Sequence, residues 1–245
     1  MLKRFYFICV YFLSWVVFGT VCLGLNAFCA VLLLLPGRER RAPAVREIIR
    51  RLFTSWVGWL HATRLVIVTW HGPDATVFPR PAVYVANHPG LIDATILLAR
   101  LPDAVCIFKP ALLRNPFLAP AAIMAGYSAG VSGVDLLREV AEKVAAGRTL
   151  LIFPEGTRTE TGRPLNPLKP GFALIARLAG VPVQVLVIQT SGDLLPRGRP
   201  WWRVPALPVH MDIHLDRLVR VNPECSAKEI TAEVEQIFAA RLGRA

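Results

Sequence analysis

The chain is short of acid. Its 245 residues carry 17 Asp and Glu against 28 Lys and Arg, a net charge of +11, and only 18% are charged at all. The basic excess is dispersed rather than gathered into blocks, which argues against a histone-like or tail-type nucleic-acid binder. No nucleic-acid reader motif is present. Cysteine is scarce: Cys9, Cys22 and Cys29 lie in one apolar stretch, while Cys106 and Cys225 stand alone. Without a CxxC pair or a Cys/His cluster, no structural zinc, no other metal centre and no disulfide framework is expected, and a reducing compartment is the natural setting. At 54% hydrophobic residues, both a disordered chain and an ordinary soluble domain are excluded. A basic chain this apolar suits an anionic membrane surface or an acidic carrier protein as partner.

Charge disappears altogether over residues 5–37. One bilayer crossing needs about 20 apolar residues, so the run fits either one long tilted helix or two shorter re-entrant helices broken near Gly19, Gly24 or Asn26. A signal peptide, with Lys3 and Arg4 as its basic start, competes with this reading. Its apolar region spans only about 7–15 residues, however, and here the run continues past any cleavage site. Residues 1–37 are therefore expected to form a retained membrane anchor. Arg38, Arg40, Arg41, Arg46, Arg50 and Arg51 follow at once, which places the rest of the chain on the cytoplasmic side of the inner membrane. Within residues 38–64, Val45, Ile48, Ile49, Leu52, Phe53, Trp56, Trp59 and Leu60 recur at steps of three and four. That is one face of a helix. Such a basic amphipathic helix lies flat in the headgroup layer or packs on a domain core.

From residue 65 the texture changes. Strands are expected at 65–70, 82–86, 104–108, 150–153, 183–189 and 209–215, with helices near 92–100, 135–146 and 172–178 between them. Ser226 and Glu229 form a capping-box pair ahead of a last helix. The alternation predicts an α/β domain over residues 65–245, a mixed but mostly parallel sheet flanked by helices. No internal repeat or low-complexity segment interrupts it.

Two strand ends carry chemistry. The first strand runs into Ala86-Asn87-His88-Pro89-Gly90-Leu91-Ile92-Asp93. Active-site groups of α/β sheets stand at the carboxyl ends of strands, and a carboxylate facing an imidazole holds one tautomer and stabilises its protonated form. The bland alternative is that His88 and Asp93 only cap a helix. The second strand ends in Phe153-Pro154-Glu155-Gly156-Thr157-Arg158. There Gly156 allows close backbone approach, and the Arg158 fork suits a phosphate or carboxylate. A solvated turn with a surface Glu–Arg pair is the competing reading.

The two blocks in this order resemble the glycerolipid acyltransferase family typified by 1-acylglycerol-3-phosphate acyltransferase. Phe108-Lys109-Pro110-Ala111-Leu112-Leu113-Arg114-Asn115-Pro116 looks like its Lys-containing second block, and Val181-Pro182-Val183 like its fourth. The resemblance covers about residues 65–215. It implies acyl transfer from acyl-CoA or acyl-carrier-protein to a hydroxyl of a lysophospholipid or related lipid, with no acyl-enzyme and no cofactor beyond the thioester co-substrate. It makes His88 the base, Asp93 its partner, and Lys109, Glu155, Gly156, Thr157 and Arg158 the substrate-binding set. Backbone N–H groups near Pro89-Gly90 are the expected oxyanion donors. One departure stands out. The family's second block usually closes with an Arg-bearing segment, whereas this chain reads Ser128-Ala129-Gly130-Val131-Ser132-Gly133-Val134-Asp135-Leu136. Arg114 or Arg138 substitutes there, or the acceptor lacks a phosphomonoester.

Gly126-Tyr127-Ser128-Ala129-Gly130 also fits the GxSxG elbow of a serine hydrolase, with Asp193 and His210 or His214 in hydrolase order. The Ala-rich segment before it, at 120–125, is better suited to a helix than to the strand such an elbow requires. His210, Asp212 and His214 share one strand face, expected to be solvated or hydrogen-bonded rather than metal-ligating. Trp201-Trp202-Arg203 reads as a loop for the membrane interface, or as a packed surface turn.

Overall fold

The computed structural model describes residues 2–72, 78–108, 110–115, 118–130, 133–192, 195–196, 198–222 and 224–243. The apolar run becomes one helix, α1 (Leu2–Leu33), unbroken at Gly19, Gly24 or Asn26. It is long and apolar enough to cross a membrane. At about 1.5 Å per residue its 32 residues span roughly 48 Å, more than a ~30 Å hydrocarbon core. The chain reverses at Gly37 (φ 83) into α2 (Arg38–Ala62). Arg41 closes the reversal by donating to the carbonyls of Leu32, at the end of α1, and of Leu35 and Pro36 in the turn.

The apolar stripe of α2 turns inward. Val45 and Ile49 are buried against Cys29, Ala121 and Met124, and Trp56 and Leu60 join the core that contains Leu65 and Tyr84. An amphipathic stripe is equally satisfied by lipid or by protein, and here four of its residues meet protein while Ile48 and Trp59 stay exposed. Of the two readings of residues 38–64, packing on the domain core is the one these contacts support.

Seven strands follow: β1 (Val66–His71), β2 (Val83–Ala86), β3 (Ala104–Phe108), β4 (Ser128–Ala129), β5 (Thr149–Ile152), β6 (Val183–Thr190) and β7 (Val209–Val219). Their order is β1-β7-β6-β2-β5-β3-β4, and every pair is parallel except β6 with β7. The fold is thus the mixed, mostly parallel α/β sheet the alternation predicts. Only the two-residue β4 was illegible, being too short for any periodic signal.

Helices α3 (Asp93–Leu98), α4 (Ala119–Met124), α5 (Val134–Ala145), α6 (Gly171–Ala179) and α7 (Ala227–Leu242) complete the chain, with a 3-10 turn at Pro110–Arg114. One sheet face carries α1, α2 and α3, the other α5, α6 and α7. β2 is buried along its whole length, the expected state of a central parallel strand. Ser226 and Glu229 form the full reciprocal capping box of α7. Residues 120–124 are helical, as the composition of this segment suggests, and Ala125 caps the helix.

Candidate active site

β2 and β5 are parallel neighbours, pairing Val83 with Leu150 and Val85 with Ile152. The residues that leave their carboxyl ends therefore emerge side by side, although 67 positions separate them in sequence. This register brings the two motif blocks together.

His88 leaves β2 and its ring stacks on Phe153, centroids 4.1 Å apart. Its Nδ1 lies 2.9 Å from Asp93 Oδ2. The same carboxylate oxygen accepts the Gly90 N–H at 2.7 Å, which closes the turn between them. Asp93 is the first residue of α3, after an Ile92 cap. Closure by the Gly90 N–H, and not helical spacing, sets the contact.

Asp93 is fully buried and its Oδ1 has no protein partner among the described residues. Burial pushes its carboxyl above the usual carboxylate range, against the pull of His88 and Gly90. The His88 side chain keeps a 19% exposed edge, and its Nε2 has no protein partner among the described residues. The arrangement leaves one ring nitrogen oriented by a carboxylate and the other open, the geometry of a general base.

Two of the N–H groups expected as oxyanion donors are already engaged. Pro89 has no N–H, the Gly90 N–H is held by Asp93, and the His88 N–H by Glu155. The His88 and Gly90 N–H groups are thus both committed to carboxylates, which leaves the Leu91 and Ile92 N–H groups as the turn's remaining donors.

Glu155 is buried and braces the site rather than facing open space. Its Oε1 accepts from His88 N–H (2.8 Å) and from the Thr159 hydroxyl (2.9 Å), while Oε2 accepts from Asn166 N–H (2.9 Å). Thr159 N–H returns a bond to the His88 carbonyl at 2.8 Å. Gly156 takes φ +69, a conformation that favours glycine, and the Lys169 chain end lies against its Cα. Thr157 is half-buried beside it. Arg158 donates from Nη1 to the carbonyls of Leu195 (2.8 Å) and Pro196 (3.2 Å). It therefore ties the 195–196 segment to the site. Lys109 lies outside the described residues, and Arg114 and Arg138 are exposed.

Sequence reasoning missed Asn87, Thr159 and Asn166. Asn87 is buried and pairs both ways with the Ile188 backbone, bonding β2's end to β6. A lone amide after four apolar strand residues was the available signal. Thr159 and Asn166 find their partner only through the fold.

The serine-hydrolase reading is corrected as well. Ser128 sits in β4, with its hydroxyl 3.0 Å from Glu139 and 2.8 Å from Lys143. Neither is a histidine, and Asp193 lies outside the described residues. Lys143 holds the Glu139 carboxyl below its ordinary range. On β7, Asp212 pairs with His71 at 2.6 Å and His214 with Gln189 at 3.0 Å, a hydrogen-bonded strand face.

Comparison with known proteins follows the same lines. The family model described as Acyltransferase matches residues 67–189. A chloroplastic 1-acyl-sn-glycerol-3-phosphate acyltransferase of Brassica napus is 35% identical over 123 residues, 48% of this chain and 36% of that protein. The chain thus spans about a third of the length of such plant relatives. A lyso-ornithine lipid O-acyltransferase of Pseudomonas aeruginosa is 31% identical over 190 residues, covering 73% of this chain and 67% of that protein. The crystal structure of the 1-acyl-sn-glycerophosphate acyltransferase PlsC from Thermotoga maritima superposes with a TM-score of 0.73 over 99% of this chain and 96% of that one, at 24% identity, a likeness of fold. A family model spanning half the chain, with a relative matched along most of both lengths, establishes that this chain belongs to the acyltransferase family that includes the lysophosphatidate and lysolipid enzymes.

Proposed function

We propose that the chain transfers an acyl group from a thioester, acyl-CoA or acyl-carrier-protein, to the free hydroxyl of a lysolipid. The observation that carries this is the His88–Asp93 pair, with Nδ1 2.9 Å from a buried carboxylate and Nε2 open. The acceptor hydroxyl gives its proton to Nε2, and its oxygen attacks the thioester carbonyl. The carbon–sulfur bond then breaks, and the departing thiolate takes the proton back from the imidazolium. Asp93 stabilises the transient charge on the ring. Glu155 and Thr159 hold the His88 backbone from both sides, and Gly156 and Thr157 line the approach.

The membrane seats the reaction. α1 buries Tyr11, Ser14, Asn26 and Cys29 against the domain while Phe5, Val16, Phe28 and Val31 stay exposed, an outward face fit for lipid. The basic α2 suits the cytoplasmic side of the inner membrane. The net charge of +11 suits an acidic carrier.

A 1-acylglycerol-3-phosphate-like acceptor is the first reading, after the names of several relatives. A lysolipid without a phosphomonoester is the second. Arg158 already serves two backbone carbonyls, and the relative named for lyso-ornithine lipid matches 73% of the chain. The test is mass spectrometry after offering the purified chain lysophosphatidate and lyso-ornithine lipid, each with one labelled thioester. Labelled diacyl product from either, absent with His88→Ala, is expected. Product formed equally by His88→Ala would overturn the mechanism.

A further inference from the structure

A cleft of ≈ 650 Å³ opens between the first turns of α1 and the segment at 204–207. That is within the ~300–1,000 Å³ range of small-molecule sites. Lys3, Arg4 and, one turn on, Phe7 and Ile8 line it from α1, so that each cation stands four residues from an apolar side chain, and residues 204–207 line it from the other segment. No acidic residue lines it among the described residues, and neither cation makes an ion pair there.

Two cations beside apolar side chains call for an amphiphile whose charge is negative. The surroundings say which kind. Leu2 and Phe5 on α1, and Trp201 and Trp202 just before the 204–207 segment, are all exposed apolar side chains beside the cleft. Tryptophan at such a rim is the residue of the headgroup layer. A soluble phosphate would use the two cations but gain nothing from the apolar lining.

We propose that this cleft binds the phosphodiester headgroup of an anionic bilayer phospholipid. Lys3 and Arg4 take the phosphate, and Phe7, Ile8 and residues 204–207 pack on the glycerol and first methylenes. The Tyr11 hydroxyl donates to the Trp201 carbonyl, so a lipid held here also fixes that loop against α1. The inference rests on the membrane seating of α1 and is independent of acyl transfer.

The test titrates the full chain in neutral detergent with dihexanoylphosphatidylglycerol, read by tryptophan fluorescence. Dihexanoylphosphatidylcholine, glycerol phosphate and CoA serve as comparators, and phosphatidylglycerol vesicles as the bilayer. Lys3→Gln with Arg4→Gln should weaken binding roughly 30-fold, at the usual worth of two basic residues on an anionic surface. Ala206→Trp, which fills the cleft without changing charge, should do likewise. Lys228→Glu removes the same net charge from α7 on the far sheet face and should leave binding unchanged. Equal binding by the cleft variants, equal weakening by Lys228→Glu, or displacement of the lipid by glycerol phosphate or CoA would each overturn the proposal. Failure of the unaltered chain to bind phosphatidylglycerol vesicles would overturn it together with the membrane seating. Retained vesicle binding with unaffected cleft variants would sink this inference alone.

Discussion

Glu155→Ala separates two roles that a carboxylate in this motif can play. A head-group contact would be felt in the acceptor's KM, with the fold indifferent. The structure instead gives Glu155 three donors: His88 N–H, the Thr159 hydroxyl and Asn166 N–H. Truncation leaves all three without an acceptor in a site only 4% exposed. Each orphaned donor costs about 1–3 kcal/mol, and partial rescue by water brings a realistic total to about 3–5 kcal/mol. In a chain of this size that lowers Tm by about 6–20 °C, at roughly 2–4 °C per kcal/mol. Because one of the three donors is the backbone of His88, kcat should fall with stability while KM changes little. Glu155→Gln is the finer probe. Its amide oxygen can keep His88 and Thr159, but the NH2 then faces the Asn166 N–H, one lost bond and one donor–donor contact. A loss of about 2 kcal/mol is expected. Differential scanning calorimetry in detergent, beside steady-state kinetics, reads both variants. An unchanged Tm and kcat with a raised acceptor KM would refute the brace and restore the head-group contact.

The remaining expectations concern the same framework. Asp93→Asn should cut kcat about 10³–10⁴-fold, as expected when an imidazole loses its orienting charge, yet raise Tm. The sign follows from Asp93's raised value: its ionised form is disfavoured in the fold at neutral pH, a cost relieved as pH falls through the folded value. A lower Tm would contradict that. Ser128→Ala should leave transfer intact, and its abolition with His88→Ala still active would make the chain a hydrolase. Glu139's lowered value adds stability above the ordinary carboxylate range that is lost as pH falls through the folded value, so Lys143→Met should remove this acid limb from a Tm–pH curve.

What could be read from sequence alone divides by range. His88 and Asp93 were legible because five residues and one turn connect them. Glu155 was legible as a functional position but not as a brace, since its donors arrive through β2–β5 pairing and from Asn166 beyond the turn. Arg158 looked free for a ligand because nothing local predicts that the carbonyls of Leu195 and Pro196 come to it. The stripe on α2 was legible as an apolar face, but its partner was not: Val45, Ile49, Trp56 and Leu60 of that face are buried in the domain. Periodicity reports that a surface is apolar, not what covers it.

That ambiguity also explains how α1 is held. Lipid tails are as apolar as leucine, so apolar contact alone gives a membrane-embedded helix little preference for protein over lipid. Polar contacts discriminate. The Trp59 indole donates to the Ser14 hydroxyl at 2.8 Å, Ala121 N–H donates to Asn26 Oδ1 at 3.0 Å, and the Tyr11 hydroxyl donates to the Trp201 carbonyl. Tyr11 and Ser14 lie one turn apart in the first half of the helix and Asn26 about three turns further on, and each meets a different part of the domain. They fix its rotation, so its lipid-facing side and the open edge of His88 hold one orientation relative to each other. On the proposed function, an acceptor drawn from a bilayer needs the base at a set depth, and these three hydrogen bonds would supply that registration where hydrophobic packing cannot.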